Sequence, residues 1–282
     1  MGEPQQTQWL PPAAPEPPPR AFDPAPDPPA RRLPALLVAI AALAAKGKAL
    51  LLLLPKLKLL TTSGSMLVSV GAYALIWGWQ FAVGFVLLLF VHEMGHVIQL
   101  RREGVEASAP VFIPFMGAVV WAKQLGGNAL AEARVGLAGP VLGTVGALAC
   151  VPLASATGND LFRALAFTGF FLNLFNLAPV LPLDGGRAMA AMAPWMWFVG
   201  FGVMAGAAIA FPNPIILIIL LLGGMETWRR WKLRRAGGEE TQAYYRVAPR
   251  HRVAVALVYI GLIALLAVGM DLTHLQRTFS DA

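Results

Sequence analysis

Seven hydrophobic blocks run through the chain: Met66–Gly78, Gln80–Leu100, Ala131–Ala154, Leu161–Ala178, Ala188–Phe211, Ile215–Trp228 and Val253–Met270. A helix needs about 20 mostly apolar residues to cross the hydrocarbon core of a bilayer. The pattern therefore predicts an all-α polytopic membrane protein with about six to seven transmembrane helices. The first and sixth blocks are short for full crossings. One stretch departs from helical patterning. In "APVFIPFMGAVVWAK", residues 109–123, Pro110, Pro114 and Gly117 interrupt any helix, while Val, Ile, Phe and Trp favour extended backbone. It is read as a short membrane-associated β-hairpin or loop. Ahead of the blocks, two apolar runs at 35–45 and 49–54 are divided by Lys46 and Lys48. A lysine at the bilayer centre costs about 3 kcal/mol. Residues 35–62 are thus expected to lie at the membrane surface as an amphipathic segment.

Composition sharpens this picture. The 282 residues are 57% hydrophobic and 13% charged, against about 25% charged in a soluble domain. Residues 1–34 hold 12 of the 23 prolines and read as a disordered Pro-rich tail. Nothing at the start has the basic-then-apolar order of a signal peptide. The net charge of +7 fits Lys- and Arg-rich cytoplasmic loops, and no basic face for a nucleic-acid partner is apparent. A single cysteine, Cys150, excludes an intrachain disulfide and a Cys-rich metal cluster. Basic residues gather at alternate ends of the blocks: Lys56 and Lys58, Arg101 and Arg102 with Arg134, Arg187, then "RRWKLRR" at 229–235 with Arg250 and Arg252. The turns "WGW", "SATGND" and "FPNP" between the other ends carry no Lys or Arg. The basic side is expected to be cytoplasmic. The chain then divides into the tail (1–34), the surface segment (35–62), a core (66–230), a basic cytoplasmic loop (231–252) and a last helix with a short tail (253–282).

The chemistry sits in the second block, at "HEMGH". His92 and His96 are four residues apart and share one face of a helix. An i, i+4 histidine pair can reach one metal ion, and Glu93 between them suits a general base. Ionisable groups inside a span are costly without a partner, which points to function. A third protein ligand is needed. His251 and His274 lie outside the blocks, leaving Glu132, Asp160, Asp184, Glu226 and Asp271 as acidic candidates. Asp184 stands out: in "NLFNLAPVLPLDGGR", residues 173–187, Pro179 and Pro182 break the span and deliver Asp184 at the basic side, where His92 and His96 approach. In "GLAGPVLGTVG", residues 136–146, Gly139 and Gly143 have the small-x-x-x-small spacing of close helix packing. Asn173 and Asn176 could hydrogen-bond between helices.

"HEMGH" on a transmembrane helix, followed by "NLAPVLPLDGG", resembles the site-2 protease family of intramembrane zinc metallopeptidases, through Asn176, Pro179, Asp184 and Gly185. The resemblance spans roughly residues 66–230. It implies His92, His96 and Asp184 as ligands of one Zn²⁺ per chain, and Glu93 as catalytic base. It turns Asn176 toward the active site as a group steadying the substrate carbonyl. It implies a three-helix core made of the second, third and fourth blocks. The activity implied is hydrolysis of peptide bonds in or near transmembrane segments of membrane-protein substrates, as in regulated intramembrane proteolysis. The setting implied is a bacterial inner (plasma) membrane, with the active site toward the cytoplasm. Lipid and a transmembrane protein substrate are the expected partners; oligomeric state stays open. The alternatives are another H-E-x-x-H membrane peptidase with Glu226 as third ligand, a metal-binding transporter-like protein and an inactive relative.

Overall fold

The computed structural model describes residues 60–122 and 127–274. The Pro-rich tail and all but the last three residues of the surface segment lie outside the described residues, as does the end of the chain. The described elements are α1 (Leu60–Trp77), α2 (Trp79–Arg102), β1 (Val111–Ile113), β2 (Gly117–Val119), α3 (Ala129–Thr157), α4 (Asp160–Asn176), α5 (Asp184–Met192), α6 (Met196–Ala210), α7 (Pro214–Ala236), α8 (Glu239–Tyr244) and α9 (Pro249–Thr273). Four of them, α1, α2, α3 and α9, are long and apolar enough to cross a membrane.

Local chemistry sets the helix limits. Asn128, Asn159 and Asn213 cap α3, α4 and α7, each side-chain oxygen accepting from a backbone N–H of the first turn. Gly158 and Gly237 close α3 and α7 in the left-handed region, at φ 63° and 72°. Arg101 and Arg102 fall in the last turn of α2, where cations complement the helix dipole.

Two expectations change. The block Ala188–Phe211 is not one helix but two, α5 and α6, broken at Ala193–Trp195. Pro194 supplies no N–H and its ring opposes the carbonyl four residues earlier. The break folds α5 back into the protein, where Asp184, Ala188 and Met189 are buried and Trp197 Nε1 donates to the Gly186 carbonyl at 2.6 Å. The segment 231–252, expected as a basic loop, is largely helical. α7 continues through the arginine cluster to Ala236, α8 follows, and α9 starts at Pro249. Arg, Lys, Leu and Trp interrupt no helix, so Gly237 rather than the charge ends α7.

α3 is the central element, packing on α2, α4, α5 and α9. Its small residues allow this approach. A Cβ at Gly169 of α4 would lie 2.9 Å from Ala147, and a Cβ at Gly136 of α3 would lie 2.9 Å from both the Asp184 carbonyl oxygen and Arg187 Cβ. The main apolar cluster joins α3, α4, α5 and α9 through Leu137, Phe170, Met189 and Leu266. Residues 111–119 form an antiparallel hairpin, with Val111 opposite Val119 and Ile113 opposite Gly117. α1 holds β1 and the turn after it: the Phe112 N–H donates to Ser65 Oγ and the Phe115 N–H to Tyr73 Oη, both at 3.0 Å.

Candidate metal centre

His92 and His96 lie on the buried face of α2, and Asp184 opens α5 across from them. Their ligand atoms converge. The two Nε2 atoms are 3.2 Å apart, and Asp184 Oδ2 is 3.2 Å from one and 3.3 Å from the other. Within the described residues these three alone form a group of His, Cys, Asp or Glu able to share one metal ion.

The surrounding hydrogen bonds fix which atoms carry protons. The Asn173 side-chain N–H₂ donates to the Gly169 carbonyl at 2.7 Å, which turns its Oδ1 toward His92 Nδ1 at 2.8 Å. Nδ1 of His92 must then be the N–H. Nδ1 of His96 faces the Val135 carbonyl at 2.8 Å and must also donate. Both neutral rings therefore direct an unprotonated Nε2 inward. Two nitrogen lone pairs and a carboxylate oxygen thus meet in a buried space with no donor between them. That arrangement suits a cation. Ligands about 2.0–2.1 Å from a tetrahedral zinc stand about 3.3 Å apart, so the three atoms already have suitable spacing.

Backbone packing explains the sequence around the ligands. A side chain at Gly139 would collide with Nε2 of His96 and crowd Nε2 of His92, and one at Gly143 would collide with the Asn173 amide. The small residues of α3 make room for the imidazoles and their hydrogen-bond partner, as well as for a helix. Gly185 and Gly186 let α5 rest on the Leu177–Leu181 backbone: a Cβ at Gly185 would strike the Leu177 carbonyl, and one at Gly186 would come within 2.6 Å of Val180 and Leu181. This contact sets the position of Asp184.

The other candidates lie elsewhere. Glu93 is half-buried on α2 beside His92. Asn176, the last residue of α4, is half-buried, whereas Asn173, one turn earlier, is buried and holds His92. Glu132 is fully buried and receives both guanidinium arms of Arg230, at 2.7 and 2.9 Å, and the Tyr244 hydroxyl. Burial and the nearby Glu132 carboxylate push the Tyr244 hydroxyl above the usual phenol range. Glu226 is bound by Arg229 and Arg230 at 2.6–2.7 Å. Of the other acidic candidates, Glu132 and Glu226 are thus engaged by arginines. Sequence reasoning allowed Asn173 a bond between helices without naming His92 as its partner, and it missed the Val135 carbonyl. An amide inside an apolar span was the available signal for the first; a backbone carbonyl leaves none.

A family model described as Peptidase family M50 matches residues 80–158. The chain is similar to "Putative zinc metalloprotease Rip3" of Mycobacterium tuberculosis, 31% identical over 173 residues that cover 56% of this chain and 42% of that protein. It is also similar to "Zinc metalloprotease MJ0392" of Methanocaldococcus jannaschii, 27% identical over 150 residues that cover 50% of this chain and 43% of that protein. The chain spans less than half the length of these curated relatives.

Proposed function

We propose, from the match of residues 80–158 to the model of Peptidase family M50, that the chain is a zinc-dependent metalloendopeptidase of the site-2 protease kind that cleaves membrane proteins in or near their transmembrane segments. The observation that carries this reading is the buried meeting of His92, His96 and Asp184 beside Glu93, on a helix long enough to span a bilayer.

The residues take the following roles. His92 and His96, each oriented by its Nδ1–H bond, would hold zinc through Nε2, and Asp184 would offset part of the ion's charge. When bound, zinc supplies Lewis acidity toward the scissile carbonyl and acidifies the attacking water. Glu93 accepts the proton of that water and returns it to the leaving amine. Asn176, at the end of α4, steadies the substrate carbonyl. The protein lies in the plasma membrane of a bacterium, with α4 and the α6–α7 pair completing six to seven crossings. The site opens toward the cytoplasm. Contacts support a shared basic side: Arg230 of α7 meets Glu132 at the start of α3, and Arg134 meets Glu103 just after α2 at 3.6 Å.

The hairpin offers a backbone edge to an unwound substrate. The Phe112 N–H points to Ser65, hence away from β2, so its partner Ala118 turns its own N–H and C=O outward as well. Trp121 instead turns both groups toward Ser108. Ala118 and Val120 thus present the outward backbone groups of β2, which a substrate strand can pair with by β-augmentation. Ala118→Pro removes an outward donor and is expected to reduce cleavage at unchanged zinc content. The overall reading is tested by comparing the membrane proteomes of cells bearing wild type or Glu93→Gln, which should accumulate uncut transmembrane fragments. Identical proteomes, at matched expression and zinc content, would refute it.

A further inference from the structure

A groove of about 680 Å³ runs between α2, α3 and α9. Its wall includes Ile98, Val141 and Val258, all substantially exposed apolar side chains. Its end is lined by Arg102 at the close of α2, Arg134 near the start of α3 and His251 near the start of α9. Glu103 sits 3.6 Å from Arg134 and neutralises part of one charge, leaving the end cationic. Gly95, next to the ligand His96, also lines the groove.

We infer that this groove holds one anionic phospholipid, with its phosphate between Arg102, Arg134 and His251 and one acyl chain along the apolar wall. The two halves of the groove match the two halves of such a lipid. Arginine forks bind phosphate oxygens bidentately, and the imidazole adds a donor. Basic pockets between membrane helices hold anionic head groups at the cytoplasmic leaflet, and the volume is that of an ordinary small-ligand site. A free phosphate would use the cations and leave the apolar wall unfilled. A bound lipid would brace α2 against α3 beside the metal ligands. The inference does not depend on peptidase activity, because its test reads lipid binding.

The full-length protein, purified in detergent and checked for zinc content as a sign of folding, is titrated with phosphatidylglycerol, phosphatidylcholine and inorganic phosphate, and lipid adducts are counted by native mass spectrometry. Phosphatidylglycerol should bind tighter than phosphatidylcholine, and matched inorganic phosphate should not displace it. The double variant Arg102→Gln, Arg134→Gln should bind phosphatidylglycerol about thirty-fold more weakly. Val141→Trp, which fills the apolar wall and keeps the cations, should also weaken it. Arg234→Gln with Arg235→Gln, an equal loss of charge at the end of α7, should not. Unchanged binding in the first double variant or in Val141→Trp, an equal loss in the α7 control, or displacement by inorganic phosphate would each overturn the assignment.

Discussion

Two buried polar clusters lie along α3, and they are built in opposite ways. Near its start, Glu132 is closed off: Arg230 supplies the counter-charge and Tyr244 a further donor, and Arg230 stacks over Trp197 at 5.4 Å. Further along, His92, His96 and Asp184 present three acceptor atoms to one another, with every nearby N–H already directed outward to Asn173 or Val135. The first cluster is complete within the chain and ties α7 and α8 to α3. The second offers three ligand atoms that one cation could share. Burial and charge alone would not distinguish them. The inventory of donors does.

The comparison predicts different responses to change. The largest is expected in the closed cluster. Glu132→Ala leaves Arg230 buried without its main partner, which should cost about 3–5 kcal/mol. Denaturation of the purified protein should show this loss equally with and without a metal chelator. The open cluster should behave in reverse. A ligand at a hundredfold excess over its Kd adds about 2.7 kcal/mol of stability, so chelation should destabilise wild type by about that order and leave Asp184→Ala nearly unmoved. A chelator effect of the same size in both proteins would break the comparison.

A smaller effect is expected from the groups that aim the ligands. Asn173→Ala removes the acceptor that fixes the His92 tautomer and should weaken metal binding about 10–100-fold, measured by competition with a zinc chelator. Asn173→Asp keeps an acceptor and should recover part of that loss. The smallest response should come from glycines without a neighbour. Gly139→Ala, whose Cβ meets both imidazoles, should lose metal, whereas Gly261→Ala on α9 meets nothing within 4 Å and should keep it.

How readily each part was read from sequence follows the range of the forces involved. α2 and α3 were evident because lipid-length apolar runs allow little else. Pro110, Pro114 and Gly117 among β-favouring residues marked a hairpin or loop, and the structure has the hairpin at Val111–Val119. The ligand trio could be nominated because two histidines and an aspartate have few other reasons to meet at one depth. What escaped depends on contacts across the fold. Pro194 divides the block Ala188–Phe211 because α5 turns into the core, which an apolar run alone does not reveal. Glu226 stands next to the arginine cluster in sequence, so its pairing with Arg229 and Arg230 is local, whereas the pairing of Glu132 with Arg230 joins residues 98 positions apart and leaves no sequence signal. Asn173 and Asn176 differ by one turn of α4, and only the packing of α4 against α2 and α3 shows which amide reaches His92.

The central claim is that His92, His96 and Asp184 are the protein ligands of a zinc ion. It is tested most directly by the metal content of purified full-length variants. Wild type, Glu93→Gln and Glu226→Ala should each carry about one zinc per chain, while His92→Ala and Asp184→Ala should carry little. Full occupancy in Asp184→Ala together with loss in Glu226→Ala would contradict the account and move the third ligand to α7.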